Sequence, residues 1–239
     1  MTPPTLLWLR RDLRLADNPA LAAAIERSGP VIPVFVLDPL IEGFGAAPLW
    51  RLGESLGAFA EALEDAGSRL ILRRGDALEA LAALAAETGA GAVVWSRLYD
   101  GPAIARDTAV KAGLRERGLA ADSVNGSLLF EPWTVQTGSG GFYKVYTPFW
   151  KAVRDRDPGE PVATPSRIPA PDSWPASDAL ADWRLDARMN RGATVVARHA
   201  RVGEAAAQAR LDAFLAEGIA GYAEGRDRVD RAATSNLSE

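Results

Sequence analysis

The sequence predicts an α/β fold in which a five-stranded parallel, Rossmann-like sheet occupies the first half of the chain. The main observation is that short β-rich runs alternate with helical patterns up to about residue 124. Such alternation is typical of right-handed βαβ crossovers, which place successive strands parallel in one sheet. The hydrophobic content of 48% is that of an ordinary globular protein. We therefore expect a ligand crevice outside the carboxyl ends of the strands.

The five predicted strands are short runs of apolar and β-branched residues, at 5–9, 31–37, 69–72, 92–95 and 119–124. The helix after the first strand has a clear start. Asp17 or Asn18 can cap it, and Pro19 suits its first turn.

Three further helices follow from apolar spacing. The first carries apolar residues at steps of three and four, which places them on one face: Leu49, Leu52, Leu56, Phe59 and Leu63. The second contains Leu78, Leu81 and Leu84. The third spans about 102–117, with Ile104 and Leu114 on its apolar face. Each of these helices lies between two predicted strands, as a crossover requires.

Residues 125–151 differ in character from the alternating region. The runs 134–137 and 142–146 flank the glycine-rich stretch 138–141, which predicts a hairpin around a glycine turn. The glycines are also compatible with a phosphate cradle, although such a cradle needs a helix directly after it. The sequence favours the turn.

A proline-rich segment spans residues 157–190, with six prolines between Pro158 and Pro175. We predict that this segment lies against the domain surface or joins two domains. Helical patterning returns from Gly203, where apolar residues recur at helical spacing through Leu215. The predicted organisation is thus an α/β domain at 1–131, a hairpin and linker at 132–202, and a further helical region at 203–239.

Composition excludes several kinds of site. The chain has no cysteine, which rules out disulfides and thiolate metal sites, and its one histidine, His199, cannot form a histidine cluster. We therefore expect no metal site and a structural role for His199. The net charge of −4 gives no global sign of nucleic-acid binding. Without a signal segment or a membrane-length apolar run, the expectation is a cytoplasmic protein.

The end of the first strand carries three arginines, Arg10, Arg11 and Arg14. At the carboxyl end of a parallel strand they are placed to meet an anion. The alternative, which the residues alone favour, is that Asp12 and Asp17 pair with them and fix the loop.

Two other polar segments have a structural and a functional interpretation. Residues 143–151 interleave aromatic side chains with lysines, a pattern that suits packing in a hairpin or the stacking of single-stranded nucleic acid. Residues 234–238 offer hydroxyls and an amide where a helix would start. That arrangement suits phosphate, whereas read without context it is a polar tail.

The order of these motifs resembles the cryptochrome/photolyase family. The resemblance rests most on the opening Trp-Leu-Arg-Arg-Asp-Leu-Arg at 8–14, on Asp-Asn-Pro-Ala-Leu at 17–21, and on Thr-Ser-Asn-Leu-Ser at 234–238. The runs 34–38, 70–76, 146–151 and 203–222 are similar to the family in a weaker way. The resemblance implies that residues 203–239 begin an all-α FAD-binding domain that the chain does not complete.

Family resemblance also implies a function. Photolyases of this family repair cyclobutane pyrimidine dimers in UV-damaged DNA by electron transfer from reduced FAD, and the resemblance implies the same function here. We expect the protein to act as a monomer. The FAD contacts carried over are Tyr222, Thr234, Ser235, Asn236, Leu237 and Ser238, and Arg226 matches a DNA-contacting arginine. The family usually has Arg or Lys where Asn236 stands. No catalytic residue is expected within these 239 residues.

Several points stay open at the level of sequence. The antenna chromophore implied by the family is a folate or a deazaflavin, and Asp100 is the candidate contact. Pro102-Ala103 stands where folate-binding members have Asn-Glu, which weakens the folate interpretation. Alternative functions are a cryptochrome-type photoreceptor without repair, or a stand-alone nucleotide-binding module.

Overall fold

A computed structural model describes residues 2–237 and contains the predicted parallel sheet. The strands are β1 (Thr5–Leu9), β2 (Val31–Leu37), β3 (Ile71–Arg74), β4 (Ala92–Ser96) and β5 (Ala120–Val124). Their spatial order is β3-β2-β1-β4-β5, and every adjacent pair is parallel. The fold class predicted from strand–helix alternation is confirmed.

The helices of the α/β domain connect these strands. They are α1 (Pro19–Glu26), α2 (Pro39–Glu42), α3 (Ala46–Asp65), α4 (Ala77–Thr88) and α5 (Gly101–Glu116). Asn18, rather than Asp17, caps α1, since its side chain accepts the Leu21 N–H at 3.0 Å. The short helix α2 has no counterpart in the predicted pattern, and it begins where Asp38 accepts the Ile41 N–H.

Both faces of the sheet are covered by a hydrophobic layer. One layer joins Leu7, Leu9 and Phe35 to α1 and α3, and the other joins Leu6, Trp8 and neighbouring strand residues to α4 and α5. Alternation along each strand sends successive side chains to opposite layers. Because both of their faces are buried, the three central strands β1, β2 and β4 are nearly continuous apolar runs, as parallel strands usually are.

Two details of the predicted elements are wrong. The edge strand β3 lies two residues later than predicted and ends in Arg73 and Arg74, whose charges an edge strand tolerates. Ile104 is 50% exposed rather than part of the apolar face of α5. The buried face is set by Ala103, Val110 and Leu114, whose spacing of seven and four residues keeps them in line.

The predicted hairpin at 134–146 is also wrong. The glycine turn is present, because Gly140 N donates to Thr137 O at 2.9 Å, but no strand pair flanks it. Instead Tyr146 begins helix α6 (Tyr146–Val153). Pro148 falls in its first turn, where a missing N–H costs no helical hydrogen bond, so the aromatic run becomes helical.

The proline-rich segment packs on the α/β domain. Ile168 is fully buried in the layer that contains α1 and α3, and Val31 N and Ile168 N bond across to Pro169 O and Ala66 O. This confirms that the segment lies against the domain. It is followed by α7 (Arg191–Ala197), α8 (Glu204–Ala213) and α9 (Tyr222–Gly225). Within residues 2–237, no helix is both long and apolar enough to cross a membrane.

Candidate functional site

A cleft of about 570 Å³ lies at the carboxyl edge of the sheet, between the α/β domain and the start of α8. Its position is beside β1, the central strand from which the order turns towards β2 on one side and β4 on the other. Ligands of open α/β sheets usually bind at such a switch point. The walls combine apolar side chains with five guanidinium groups: Arg10, Arg11, Arg14, Arg51 and Arg106.

Arg10 is the most buried of these arginines. Its Nη1 lies 3.2 Å from the Asp107 carboxylate, its Nη2 donates to the Ser96 carbonyl, and its guanidinium stacks 4.2 Å from the centre of the Trp8 ring. Burial lowers the pKa of Arg10 to about 10, against the opposing effect of Asp107 and Asp12. A charge held this far from water needs its carboxylate partner.

The acidic partners differ from those that the sequence suggested. Asp12 accepts the Arg10 backbone N–H and the Ser96 hydroxyl, at 3.0 and 2.6 Å, and Asp17 accepts the Val162 N–H. Neither aspartate forms a side-chain ion pair with the three arginines in the described chain. Arg10 and Arg11 pair instead with acids of the next crossover, Asp107 and Asp100. The predicted pairing of these arginines with their sequence neighbours Asp12 and Asp17 is wrong, because strand β4 brings α5 against the loop after β1.

Asp100 has a structural role at the start of α5. Its side chain accepts the Ala103 N–H at 3.1 Å and so caps the helix, while its other oxygen lies 3.2 Å from Arg11. Within residues 2–237, Asp100 is not among the residues that line the cleft at the carboxyl edge of the sheet. Contact of Asp100 with an antenna chromophore stays a prediction.

Glu204 connects the first turn of α8 to the loop after β1. Its two carboxylate oxygens accept the N–H groups of Leu15 and Ala16 at 2.7 and 2.9 Å. Gly203 precedes it at φ 105°, and a Cβ there would lie 2.9 Å from that of Ala58. Glycine therefore allows α8 to approach α3, and Glu204 fixes α8 at the mouth of the cleft.

Tyr222 and Arg226 lie together beyond α8. Tyr222 is 39% exposed and meets Phe214 edge to face at 6.0 Å. The Arg226 guanidinium sits 5.9 Å from the Tyr222 ring centre and 3.7 Å from Asp227. Between α8 and α9, residues Phe214–Gly218 form a π turn, a feature that is frequent at functional sites.

The segment 234–237 is held by α8. Arg210 donates from Nε to Ser235 O at 2.6 Å and from Nη2 to Thr234 O at 2.9 Å. Thr234 Oγ1 lies 2.7 Å from Asn236 Oδ1. Ser238, and the helix start predicted to follow, lie outside the described residues.

A second cavity, of about 690 Å³, adjoins this segment. Asn236 and Leu237 form one wall, and three arginines, Arg51, Arg201 and Arg210, line it together with alanines of α8. His199 also lines the cavity, so the lone histidine lies beside a cationic surface. Sequence patterns did not reveal the contacts of Arg210 and Glu204, because their partners are distant in the chain.

The aromatic and basic residues of 142–151 are largely exposed. Tyr146 and Trp150 stack at 6.5 Å with their rings nearly parallel, and Lys144 lies over Phe142. The predicted packing of these aromatics in a hairpin is therefore wrong, because the hairpin is absent and Phe142 and Tyr146 are 74% and 70% exposed. The nucleic-acid interpretation stays a prediction.

Comparison with known proteins gives a consistent picture. A family model described as DNA photolyase matches residues 5–170. Deoxyribodipyrimidine photo-lyase of Agrobacterium fabrum is 45% identical over 99% of this chain and 50% of its own length. Cryptochrome-1 of Arabidopsis thaliana is 34% identical over 98% of this chain and 35% of its own length.

The same similarity holds at the level of structure. A bacterial class III photolyase from Agrobacterium tumefaciens matches with a TM-score of 0.94 and 45% identity, over 100% of this chain and 50% of that one. The chain spans about half the length of these photolyases.

Proposed function

Because the chain belongs to the DNA photolyase family, we propose that the protein carries out light-driven repair of cyclobutane pyrimidine dimers in DNA. The observation that carries the proposal is the 45% identity with a deoxyribodipyrimidine photo-lyase across nearly the whole chain. The TM-score of 0.94 to a class III photolyase supports it. Since the chain spans half of these relatives, the activity is proposed for the whole protein.

FAD is the proposed cofactor, and when bound in its reduced form it supplies the electron for splitting the dimer. Tyr222 and residues 234–238 would hold its phosphate end. The fit is supported by the Ser235 hydroxyl and by the backbone N–H groups of Ser235 and Asn236, which have no acceptor within residues 2–237. Hydroxyls and backbone N–H donors suit a pyrophosphate.

UV-damaged DNA is the proposed substrate, and Arg226 the proposed DNA contact. Its side chain is 56% exposed and lies 3.7 Å from Asp227, so a phosphate can replace or join that weak partner. Contacts from arginine to phosphate give affinity without sequence preference. Such contacts suit an enzyme that must find lesions in any sequence context. We propose that the protein acts on DNA as a monomer.

The cleft at the carboxyl edge of the sheet is the proposed place for an antenna chromophore, a folate or a deazaflavin. Support comes from its apolar walls, its five guanidinium groups and the buried Arg10 Nε, which has no acceptor within the described residues. A planar ligand with anionic groups matches such a lining. Asp100 would act indirectly here, by holding Arg11.

A photoreceptor of the cryptochrome type is the second candidate, favoured by the 34% identity with a plant cryptochrome over 98% of the chain. Repair activity separates the two. The protein, expressed as its gene encodes it, is reduced and illuminated with blue light together with UV-irradiated oligothymidine. We expect a light-dependent recovery of thymine absorbance and none in the dark.

The double variant Thr234→Ala/Ser235→Ala tests the cofactor site in the same assay. Losing two donors to a charged group should weaken FAD retention by about 10- to 1000-fold. Repair should fall in parallel when flavin is limiting. If the parent protein binds flavin but shows no light-dependent repair, the result would favour the photoreceptor.

A further inference from the structure

Arg210 contacts the backbone carbonyl groups of the predicted phosphate-binding segment, residues 234–238. Its guanidinium donates to two successive carbonyls, Ser235 O at 2.6 Å and Thr234 O at 2.9 Å. A fork of two donors matches a pair of neighbouring acceptors better than a single ammonium does. The contact therefore fixes the direction of both carbonyl groups.

Peptide geometry then fixes the adjoining N–H groups. The peptide bonds 234–235 and 235–236 are both trans. The N–H of Ser235 therefore points opposite to the Thr234 carbonyl, and the N–H of Asn236 points opposite to the Ser235 carbonyl. Within residues 2–237, neither N–H has a hydrogen-bond acceptor. Asn236 adopts φ 54°, a left-handed conformation that asparagine tolerates. Two donors thus face away from Arg210, with no acceptor among residues 2–237.

The position of Arg210 is itself tied to the sheet. Arg210 lies on α8, and the first residue of that helix, Glu204, bonds the N–H groups of Leu15 and Ala16. Successive contacts link the loop after β1 to α8 and α8 to Ser235. They therefore set the positions of the Ser235 and Asn236 N–H groups. Sites built on such anchored elements hold their geometry better than free loops do.

We propose that Arg210 is a positioning residue for the pyrophosphate of FAD. It turns the carbonyls of Thr234 and Ser235 away from the ligand, presents the N–H groups of Ser235 and Asn236 to it, and adds a nearby positive charge. This inference rests on the proposed FAD site. It assigns Arg210 no contact with the flavin ring and no part in the chemistry.

The test compares FAD with riboflavin, which has the same ring system and no phosphate. Their dissociation constants are measured by equilibrium dialysis for the protein as its gene encodes it and for Arg210→Ala. Loss of the two orienting bonds should weaken FAD binding by about tenfold or more, taking about 1.4 kcal/mol per tenfold. Riboflavin binding should stay within about twofold, because it makes no phosphate contact.

Two further variants make the result specific. Arg198→Ala removes an exposed arginine with no side-chain partner in the described chain, and it should leave both constants unchanged. Arg210→Lys keeps the charge but not the two-pronged donor, so we expect it to bind FAD at least about threefold more weakly than the parent. Full recovery by lysine would overturn the positioning role.

The remaining outcomes are also decisive. If Arg210→Ala weakens FAD and riboflavin equally, its role is general folding, and the inference fails. If FAD binds the parent and Arg210→Ala alike, the inference fails while the proposed function stands. If the parent binds no FAD, the proposed function itself fails. Circular dichroism confirms that Arg210→Ala and Arg210→Lys are folded before either is scored.

Discussion

At the scale of single residues, the carboxyl edge of the sheet is organised by ion pairs between distant parts of the chain. Arg10 pairs with Asp107, and Arg106 pairs with Asp38 at 2.8 Å. Arg10 and Arg106 both lie within 5 Å of the Trp8 ring centre. Removing one partner of such a pair would leave an uncompensated buried charge, which strongly destabilises a fold.

Tyr99 provides a residue-scale prediction about pH. The pKa of Tyr99 is raised from 10.0 to about 12. Burial is the larger cause, and the 2.8 Å hydrogen bond to Glu131 is the second. Because the folded pKa lies above the unfolded value, this contribution to stability is complete below pH 10 and is lost as pH rises towards about 12. In a spectrophotometric titration, Tyr99→Phe should lack the last phenolate step.

Glu131→Gln is the matched change for this titration. It removes the carboxylate that favours the neutral phenol but leaves the burial, so the Tyr99 step should move to lower pH without disappearing. An unchanged final step in either variant would assign it to another tyrosine.

At the scale of elements, the proline-rich segment belongs to the core of the α/β domain rather than to a free linker. Ile168 is 0% exposed and Trp183 packs 6.1 Å from Phe35, so two points of the segment enter one hydrophobic layer. The prolines reduce the entropy lost when this extended strap is ordered. The segment therefore stabilises the sheet that it covers.

Ile168→Ala tests this role. Removing a fully buried isoleucine should lower the free energy of unfolding by about 2–5 kcal/mol, through lost apolar burial and the cavity left behind. Ile104→Ala is the control, since Ile104 is 50% exposed on α5 and its truncation should cost about 0.5 kcal/mol or less. Urea denaturation measures both. Similar losses for the two variants would mean that the segment does not contribute to the core.

At the scale of the whole molecule, burial is uneven. The three central strands, β1, β2 and β4, are wholly buried, whereas no residue of α8 is buried. The polar contacts of Glu204 with the β1 loop are therefore a main attachment of α8 to the sheet. Regions with few buried apolar contacts open locally at low free energy.

Glu204→Ala should loosen α8 without weakening the sheet. The loss of two bonds to a carboxylate should speed amide exchange in residues 204–213 by about tenfold or more. Exchange in β1, β2 and β4 should stay slow, because those amides open only with the whole domain. Glu217→Ala, at an exposed position in the following π turn, should change neither. Equal acceleration in strands and helix would contradict a local attachment.

The sequence by itself determined the five strands, the four longer helices and their order in the α/β domain. Apolar runs predicted all five strands, and Leu56, Phe59 and Leu63 correctly marked the buried face of α3, because periodicity is a local property of the chain. The sequence pattern wrongly predicted a hairpin at 134–146, where the strand-like segments have no partner strand to pair with. The roles of Tyr222 and Arg226 stay proposals.

Only the tertiary structure decided which side chains meet at the two cavities. Arg10 donates to Asp107, which is 97 positions away in the chain, and Glu204 accepts the N–H of Leu15, which is 189 positions away. Arg210 reaches Ser235 because α8 is fixed against the sheet. Such partners depend on the path of the backbone through space, and a hydrogen bond between residues far apart leaves no periodic trace in either segment.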